Sequence, residues 1–372
     1  MKTCRFKAFV ESVVIVVALL AMNLAQHGAP RISLAQSDSP ASVTLQSDRE
    51  KKRYQGRVSV NIRAVSVVLG NRTTGRITVT GWDRDDIEAR AVSERGDEVV
   101  VVDHLDQLSG ERLFLKADYA NVDQPATPTS PVDEPPQSHG ENLKVHLELS
   151  LPRTTQIELI QVWRSDVQVN GMSTAVMVSG DRSSIILKRV GAATVRSRSG
   201  NVEIEDANGA VEVITTSGAV RVHQAKSSVR VVSISGPIEI KCTRGRIDVA
   251  NTEAPIDLVN TSGDVEAVAT NSSVRIIGRL REDGRYNLRS LSGRVEMILP
   301  SDSNGFEASL SSYRGTIETD FKLDTRQVAS DGSDKGRLVG RFGNGKAQVT
   351  LDSFDGLVRL SKVAAGSLAA CR

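Results

Sequence analysis

"SGNVEIEDANGAVEVITTSGAVRVHQAKSSVRVV", residues 199–232, repeats one short unit almost every nine residues. Each unit opens on a small turn residue, continues apolar–outward–apolar, and turns again. The first apolar residue of each triplet falls at Val202, Val211, Val220, Val229, Ile238, Ile247, Ile256, Val265 and Val274, every step being nine. Upstream the series runs back through Ala193, Ile185, Val176 and Val167, with a single step of eight. A strand this short cannot bury its apolar side alone. Stacked on copies of itself, it shares backbone hydrogen bonds with the rungs on either side and completes a continuous core. Glycine or serine at Gly200, Gly209, Gly218, Ser228, Gly236, Gly245, Gly263 and Ser273 marks the bends. The pattern predicts an all-β fold, a single-chain β-solenoid.

Ser-Gly pairs end at Gly200, Gly218 and Gly236, eighteen apart, which favours two strands per rung. The outward residues offer a second test, because rungs stack about 4.8 Å apart and like charges directly opposite destabilise. An 18-residue rung places Glu203, Arg221, Glu239, Asp257 and Arg275 in one column and Glu212, Arg230, Asp248 and Glu266 in another; five of seven neighbours attract. A three-sided, 27-residue rung gives four of six, so charge alone leaves both open.

The same alternation extends outward from the repeats. "RVSVNIRAVSVVLG", "GRITVTGWDRDDIEARAVSE", "DEVVVVDHL" and "ENLKVHLELSLP" read as strands, and no segment holds a helical period for three turns. Past Val274 the period loosens into "GFEASL", "GTIETDF", "GKAQVTL" and "GLVRL", read as terminal rungs and a capping sheet. The expected organisation is a signal peptide over 1–35, a flexible lead-in over 36–53, a strand-rich region over 54–160 interrupted by a proline-rich disordered loop at 124–140, the solenoid with its C-terminal cap over 161–362, and a tail over 363–372.

The N-terminus is basic ("MKTCRFK"), then apolar for 14 residues (Ser12 to Ala25), then small at Ser33 and Ala35, the form of an export signal cleaved after Ala35. The apolar run is shorter than the roughly 20 residues of a spanning helix; retained, it would be an anchor. Export to the periplasm, cell surface or exterior is the expectation. Of three cysteines, Cys4 leaves with the signal. Cys242 is read as one more apolar side chain on a strand, a bridge to Cys371 being the alternative in an oxidising compartment.

The chain of 372 residues carries 47 basic against 45 acidic residues, too even a balance to gather nucleic acid or anionic lipid. Aromatics make up 3%, so aliphatic side chains must fill the interior. "GRITVTGWDRDDIEARAV", "LELSLPRTTQIELIQVWRSDVQVNG" and the recurrent "TSGAVRV", "SISGPIEI", "NTSGDVEAV" and "SLSGRVEMILP" together resemble the bacterial adhesin-like domain family of unknown function, over roughly Val58 to Leu360. The resemblance implies an exported β-solenoid and supplies no catalytic residues; the proline-rich insertion departs from it.

Chemical motifs are sparse. The nine-residue turns lack the repeated aspartate of calcium-binding β-rolls, and "SDGSDKG", with Asp331 and Asp334, does not have a calcium loop's spacing. "GRFGNGKA" offers Gly340, Gly345 and Lys346 as a phosphate loop, but Ala347 stands where a magnesium-binding Ser or Thr is needed and a strand follows, so a hairpin is expected. Asp248, Glu266 and Arg230 are the candidates for a polysaccharide-cleaving site, against a neutralising charge ladder. His104, His139, His146 and His223 are scattered without metal spacing. Trp82 and Trp163 are candidates for stacking on sugar, Trp82 more simply a structural corner. The expectation is therefore a non-catalytic, adhesin-like protein with no cofactor or metal, binding cell-wall glycan or an envelope protein, or scaffolding; a β-helix enzyme and a self-assembling filament are the alternatives.

Overall fold

The computed structural model describes residues 54–57, 64–69, 74–93, 101–105, 112–117, 144–325, 336–366 and 371. The segments read as export signal, lead-in and proline-rich loop lie outside these, as do Asp331 and Asp334. All elements are strands. The chain divides into two compact units at Asn201/Val202.

The first unit holds β1 (Tyr54–Arg57), β2 (Ala64–Leu69), β3 (Thr74–Trp82), β4 (Asp86–Ser93), β5 (Val101–Leu105), β6 (Arg112–Ala117), β7 (Lys144–Pro152), β8 (Gln156–Trp163), β9 (Ser165–Asn170), β10 (Val176–Asp181), β11 (Ser184–Val190) and β12 (Ala193–Ser197). A pair of consecutive strands makes one rung, one strand in each of two sheets. The rung β2–β3 is sandwiched: β2 lies parallel between β6 and β8, and β3 parallel between β7 and β9. Chain order is therefore not rung order. Antiparallel strands close the exposed side, with β4 on β7, β1 on β4 and β5 on β6.

The second unit holds β13 (Val202–Ala207), β14 (Val211–Thr215), β15 (Val220–His223), β16 (Val229–Ser233), β17 (Ile238–Lys241), β18 (Ile247–Asn251), β19 (Ile256–Val259), β20 (Val265–Ala269), β21 (Val274–Ile277), β22 (Arg285–Ser290), β23 (Val295–Pro300), β24 (Phe306–Ser312), β25 (Ile317–Thr319), β26 (Asp324–Thr325), β27 (Arg337–Phe342), β28 (Ala347–Ser353) and β29 (Val358–Val363). Val202 pairs with Val220, Val220 with Ile238, Ile238 with Ile256 and Ile256 with Val274. In the opposite sheet Val211, Val229, Ile247 and Val265 do the same. Each step is eighteen residues, so a rung has two strands. The inward columns are buried aliphatics, with Val220, Ile240, Ile256 and Leu258 at 0% exposure.

Here too a rung is filled out of order. β28 runs parallel between β22 and β24, and β29 between β23 and β25. The chain lays down β24 and β25 one rung too far, turns back through β26 and β27, and drops its last two strands into the gap. β27 pairs antiparallel with the outer side of β24. The glycine-rich turn after it thus passes across β24 to reach β28, and is not the simple hairpin expected. Phe306, Phe321 and Phe342 plug this end, their ring centroids 5.0–5.4 Å apart, with the Lys362 ammonium 4.5 Å from the Phe321 ring.

Two features correct the expectations. First, the left-handed residues at one corner are not glycines but Asp206, Gln224, Cys242 and Asn260, with φ of 51–58°. Each turns the chain so that a small residue, Ala207, Ala225, Thr243 or Thr261, points inward, while the kinked N–H still bonds the next rung, as Gln224 N–H does to the Lys241 carbonyl at 3.1 Å. Glycine supplies positive φ at Gly200 and Gly218, 107° and 100°, and elsewhere serves close approach: a Cβ on Gly236 would lie 1.8 Å from the Gly218 carbonyl oxygen, and one on Gly263 1.9 Å from that of Gly245. Second, Cys242 is no strand residue. It sits at the kink after β17 and is bonded to Cys371, 129 residues on. β17 and β29 are separated by β19, β21 and β23, so the bond joins Cys371 to a kink three intervening strands away from β29.

Replacing Cys242 and Cys371 by alanine together is expected to cost roughly 2–4 kcal/mol of stability, the usual effect of closing a long loop, read as a lower urea midpoint that reductant reproduces in the parent protein. Gly236→Ala, which drives a methyl into a backbone carbonyl, should cost at least about 2 kcal/mol by the same measurement; an unchanged midpoint would mean that the rungs are not packed this closely.

Candidate functional site

Outward side chains stand in columns because the register is exact. In the sheet containing β13, one column reads Glu203, Arg221, Glu239, Asp257, Arg275, Glu296, Arg359 and Glu318 in rung order. Only the Glu239/Asp257 step sets like charges together, and Lys241 pairs with Glu239 there. Arg275 Nε reaches Asp257 at 2.7 Å, Arg221 reaches Glu239 at 3.6 Å, and Arg359 lies 4.0 and 3.9 Å from Glu296 and Glu318. Exposed pairs of this kind contribute little energy each. Their consequence is a surface whose charges are matched along the stack.

Arg230, Asp248 and Glu266 do come together, on adjacent strands of the other sheet. They stand side by side on one flat face. Arg246 joins the two acids, its guanidinium 3.0 Å from Asp248 and 3.5 Å from Glu266, and its pKa is pushed up chiefly by the hydrogen bond to Asp248. Glycoside cleavage by an acid pair needs carboxyl groups on opposite sides of a bond. Here the carboxylates share a face and a counter-ion, the geometry of a neutralising ladder.

A polar cluster lies where the repeat is broken. Val274 to Val295 spans twenty-one residues rather than eighteen, and the three extra residues build a loop before β22. Asp264 accepts from the Arg281 guanidinium at 2.7 Å and from the Arg285 N–H at 3.1 Å. Lys346 pairs with Glu282, which holds the ammonium pKa above its ordinary value. Under the loop the Tyr286 hydroxyl accepts the Arg281 N–H at 2.8 Å, and burial pushes its pKa up. Arg279 holds Asp302 below the usual carboxylate range through a 2.8 Å hydrogen bond. Apart from the buried tyrosine, these shifts favour the charged form, as suits ion pairs rather than groups poised to exchange protons near neutrality.

The remaining candidates disperse. His146 is exposed on β7 and His223 lies on β15 in the second unit; His104 is placed on β5, and His139 lies outside the described residues. Trp82 donates its indole N–H to the Asp86 carbonyl at 2.9 Å and carries the Arg84 guanidinium 4.7 Å from its ring. Trp163 is covered likewise by Arg164 at 4.7 Å. Both rings are therefore engaged by their own neighbours. Gly343 and Gly345 have φ of 59° and 65°, as a tight turn needs, and Lys346, bound to Glu282, is committed away from any phosphate. Among the described residues no three His, Cys, Asp or Glu side chains are grouped to hold a metal, and no helix is long and apolar enough to cross a membrane.

A buried polar column was not singled out in the sequence. Thr215, Ser233, Asn251, Ser290, Ser353 and Ser312 end the strands of one sheet, all 5% exposed or less. They tie corner carbonyls: Thr215 Oγ1 donates to Ser217 O at 2.9 Å, Asn251 Nδ2 to Gly236 O at 2.6 Å, Ser353 Oγ to Gly293 O at 2.9 Å and Ser312 Oγ to Gly356 O at 2.8 Å. The Ser-Gly recurrence was the available signal; each hydroxyl satisfies a carbonyl that the bend would otherwise strand.

A family model described as Toastrack DUF4097 matches residues 55–361, and the chain belongs to that family. Among solved structures, a protein from Clostridium sporogenes named a "putative cell adhesion protein" is similar at 9% identity, over 84% of this chain and 99% of its own, with a TM-score of 0.20. No curated protein matches the chain.

With Glu239, Asp248, Asp257 and Glu266 each held by arginine or lysine, millimolar calcium or excess chelator should leave the thermal midpoint unchanged. A calcium-dependent rise of more than about 2 °C would reveal a site that binds the folded state.

Proposed function

We propose that this member of the Toastrack DUF4097 family is an exported, non-catalytic protein that binds or scaffolds at the bacterial cell envelope or surface. The observation carrying this reading is the outward ladder, in which side chains repeat at the rung spacing of about 4.8 Å and most neighbours in the column from Glu203 to Glu318 are of opposite charge. Such a surface offers many equivalent weak contacts along one direction, and its outward carboxylates, among the described residues, stand in line with cations between them. It suits a repetitive partner, cell-wall glycan, or an envelope protein lying along the stack.

Export is supported by two independent features. The N-terminal residues have the basic, apolar, small order of a secretion signal, and Cys242–Cys371 is a disulfide, a bond that persists in oxidising compartments and is rare in the cytosol. The adhesin-like role agrees with both, since an exported protein with a rigid, ladder-covered body meets its partners outside the cytoplasm.

Fractionating cells and sequencing the mature N-terminus should find the chain in the envelope or medium, beginning at Gln36. The purified mature protein should be retained on insoluble peptidoglycan or envelope material well above a β-solenoid of unrelated surface. A cytosolic, uncleaved chain, or retention no greater than the control, would overturn the proposal.

A further inference from the structure

The ladder of the sheet containing β13 stops unevenly. In the opposite sheet, the last rung strand β24 is covered by β27, β27 pairs with β26, and the phenylalanine plug lies beneath. β25 has one partner among the described residues, β29. Its bonds to β29 use the Thr316 carbonyl, which accepts the Val358 N–H at 2.9 Å, and the Asp320 N–H, which donates to Leu360 O at 3.0 Å. In a parallel pair the inward-bonding residues alternate, so the N–H and C=O groups of Ile317 and Thr319 point to the outer edge. The inward column shows the same interruption. Val202, Val220, Ile238, Ile256, Val274, Val295 and Val358 are at most 1% exposed, whereas Ile317, next in line, is only half-buried. Glu318 ends the charge column with its side chain 56% exposed, and the next step of that alternation calls for a cation.

Beside this edge stands Tyr313, 71% exposed, where almost all other large apolar side chains among the described residues are hidden. Its ring stacks on Phe354, centroids 4.9 Å apart and planes 10° off parallel, which is the rung spacing. The adjacent Arg314 guanidinium lies 5.5 Å from the Phe354 ring. Tyrosine and arginine are the residue types enriched at protein–protein hot spots.

We propose that the outer edge of β25, residues Ile317–Thr319, together with Tyr313 and Arg314, receives an extended segment of a partner polypeptide by strand addition, and that the segment reads apolar–basic–apolar. Main-chain bonds to Ile317 and Thr319 supply the pairing, the flanking apolar residues cover Ile317, and the central cation faces Glu318. The partner is a different protein, since the repeat's own valine–arginine triplets Val220–Arg221–Val222, Val229–Arg230–Val231, Val274–Arg275–Ile276 and Val358–Arg359–Leu360 are already locked in rungs. The inference rests on the binding role proposed above and selects a protein contact for this end of the ladder.

The test uses the full mature protein with its disulfide intact and a fluorescent peptide copying Ser217–Ala225, which carries valine–arginine–valine. Anisotropy should show saturable binding, and a peptide with glutamate in place of the arginine should bind at least tenfold more weakly. Glu318→Lys should invert that preference, a rescue that mere loss of folding cannot produce. Tyr313→Ala should weaken the first peptide at least fivefold with the melting midpoint preserved. No saturable binding at millimolar peptide, equal binding of the two peptides, or a dimer of the protein that Glu318→Lys dissolves would each overturn the proposal. Retention on glycan is independent of this edge, so a negative peptide result leaves the general binding role standing.

Discussion

Each rung exists only because the next one completes it. β15, β17, β19 and β21 are four residues long, with two side chains inward and two outward, and no such segment retains structure alone in water. Parallel main-chain hydrogen bonding in exact register is what converts these fragments into two long sheets. Once that register is imposed, columns follow: aliphatic inside, charged outside, small or hydroxylated at the corners. The nine-residue period of the sequence is the imprint of this requirement, because every rung must present the same shape to both neighbours.

A stack built this way is vulnerable where it stops, since a terminal rung exposes both its core and its backbone edge. Each unit answers by filling a rung out of chain order. The chain-terminal strands β28 and β29 are interior to their sheets, bonded on both sides, so they cannot fray without separating their neighbours. The turned-back strands then serve as lids. In the second unit Phe342 of the lid and Phe321 just before it close on Phe306 of β24, large planar groups that suit the end of a core and would disturb the aliphatic columns within it. The disulfide acts along the other axis, linking the region beyond β29 to a kink four strands away, and thus resists separation of rungs rather than of sheets.

Most of the repeat was legible because it is local. Val202, Val220 and Ile238 can be aligned by counting, and the two-strand rung by the Ser-Gly recurrence. What stayed hidden depends on contacts remote in sequence. Nothing near Val295 states that its neighbour is Val358 rather than Ile317, since all three units read alike; only the connecting lengths and the lid decide it. Cys242 occupies an outward-kinked position that Asp206, Gln224 and Asn260 also fill, and the absence of a shared residue type conceals that they share a left-handed backbone. Asp248, Glu266 and Arg230 were correctly placed on one face, but the meaning of the trio turned on Arg246, two residues before Asp248, whose side chain reaches across to both acids. The hydroxyl column at Thr215 and Ser233 went unread beside the Ser-Gly recurrence, because turn chemistry and buried capping of a corner carbonyl prescribe the same residues.

The architecture also separates two demands that compact enzymes must reconcile. Catalysis requires groups to converge on one point at a spacing set by the reaction, whereas a register-locked ladder disposes equivalent groups along a line, and matching their charges, which the stack favours, consumes them. Departures from the pattern therefore carry the information about function. The loop before β22 departs from the period but closes on itself, as Asp264, Glu282 and Tyr286 are each taken by a neighbour. The edge at β25 departs differently: a half-buried isoleucine, a terminal glutamate and an exposed tyrosine coincide on one strand end, where pairing rules that hold over seven preceding strands of that sheet leave the next position open. A solenoid of this kind can meet a repetitive partner along its faces through many weak contacts, while the unmet backbone chemistry of its terminal edge suits a second, more selective contact.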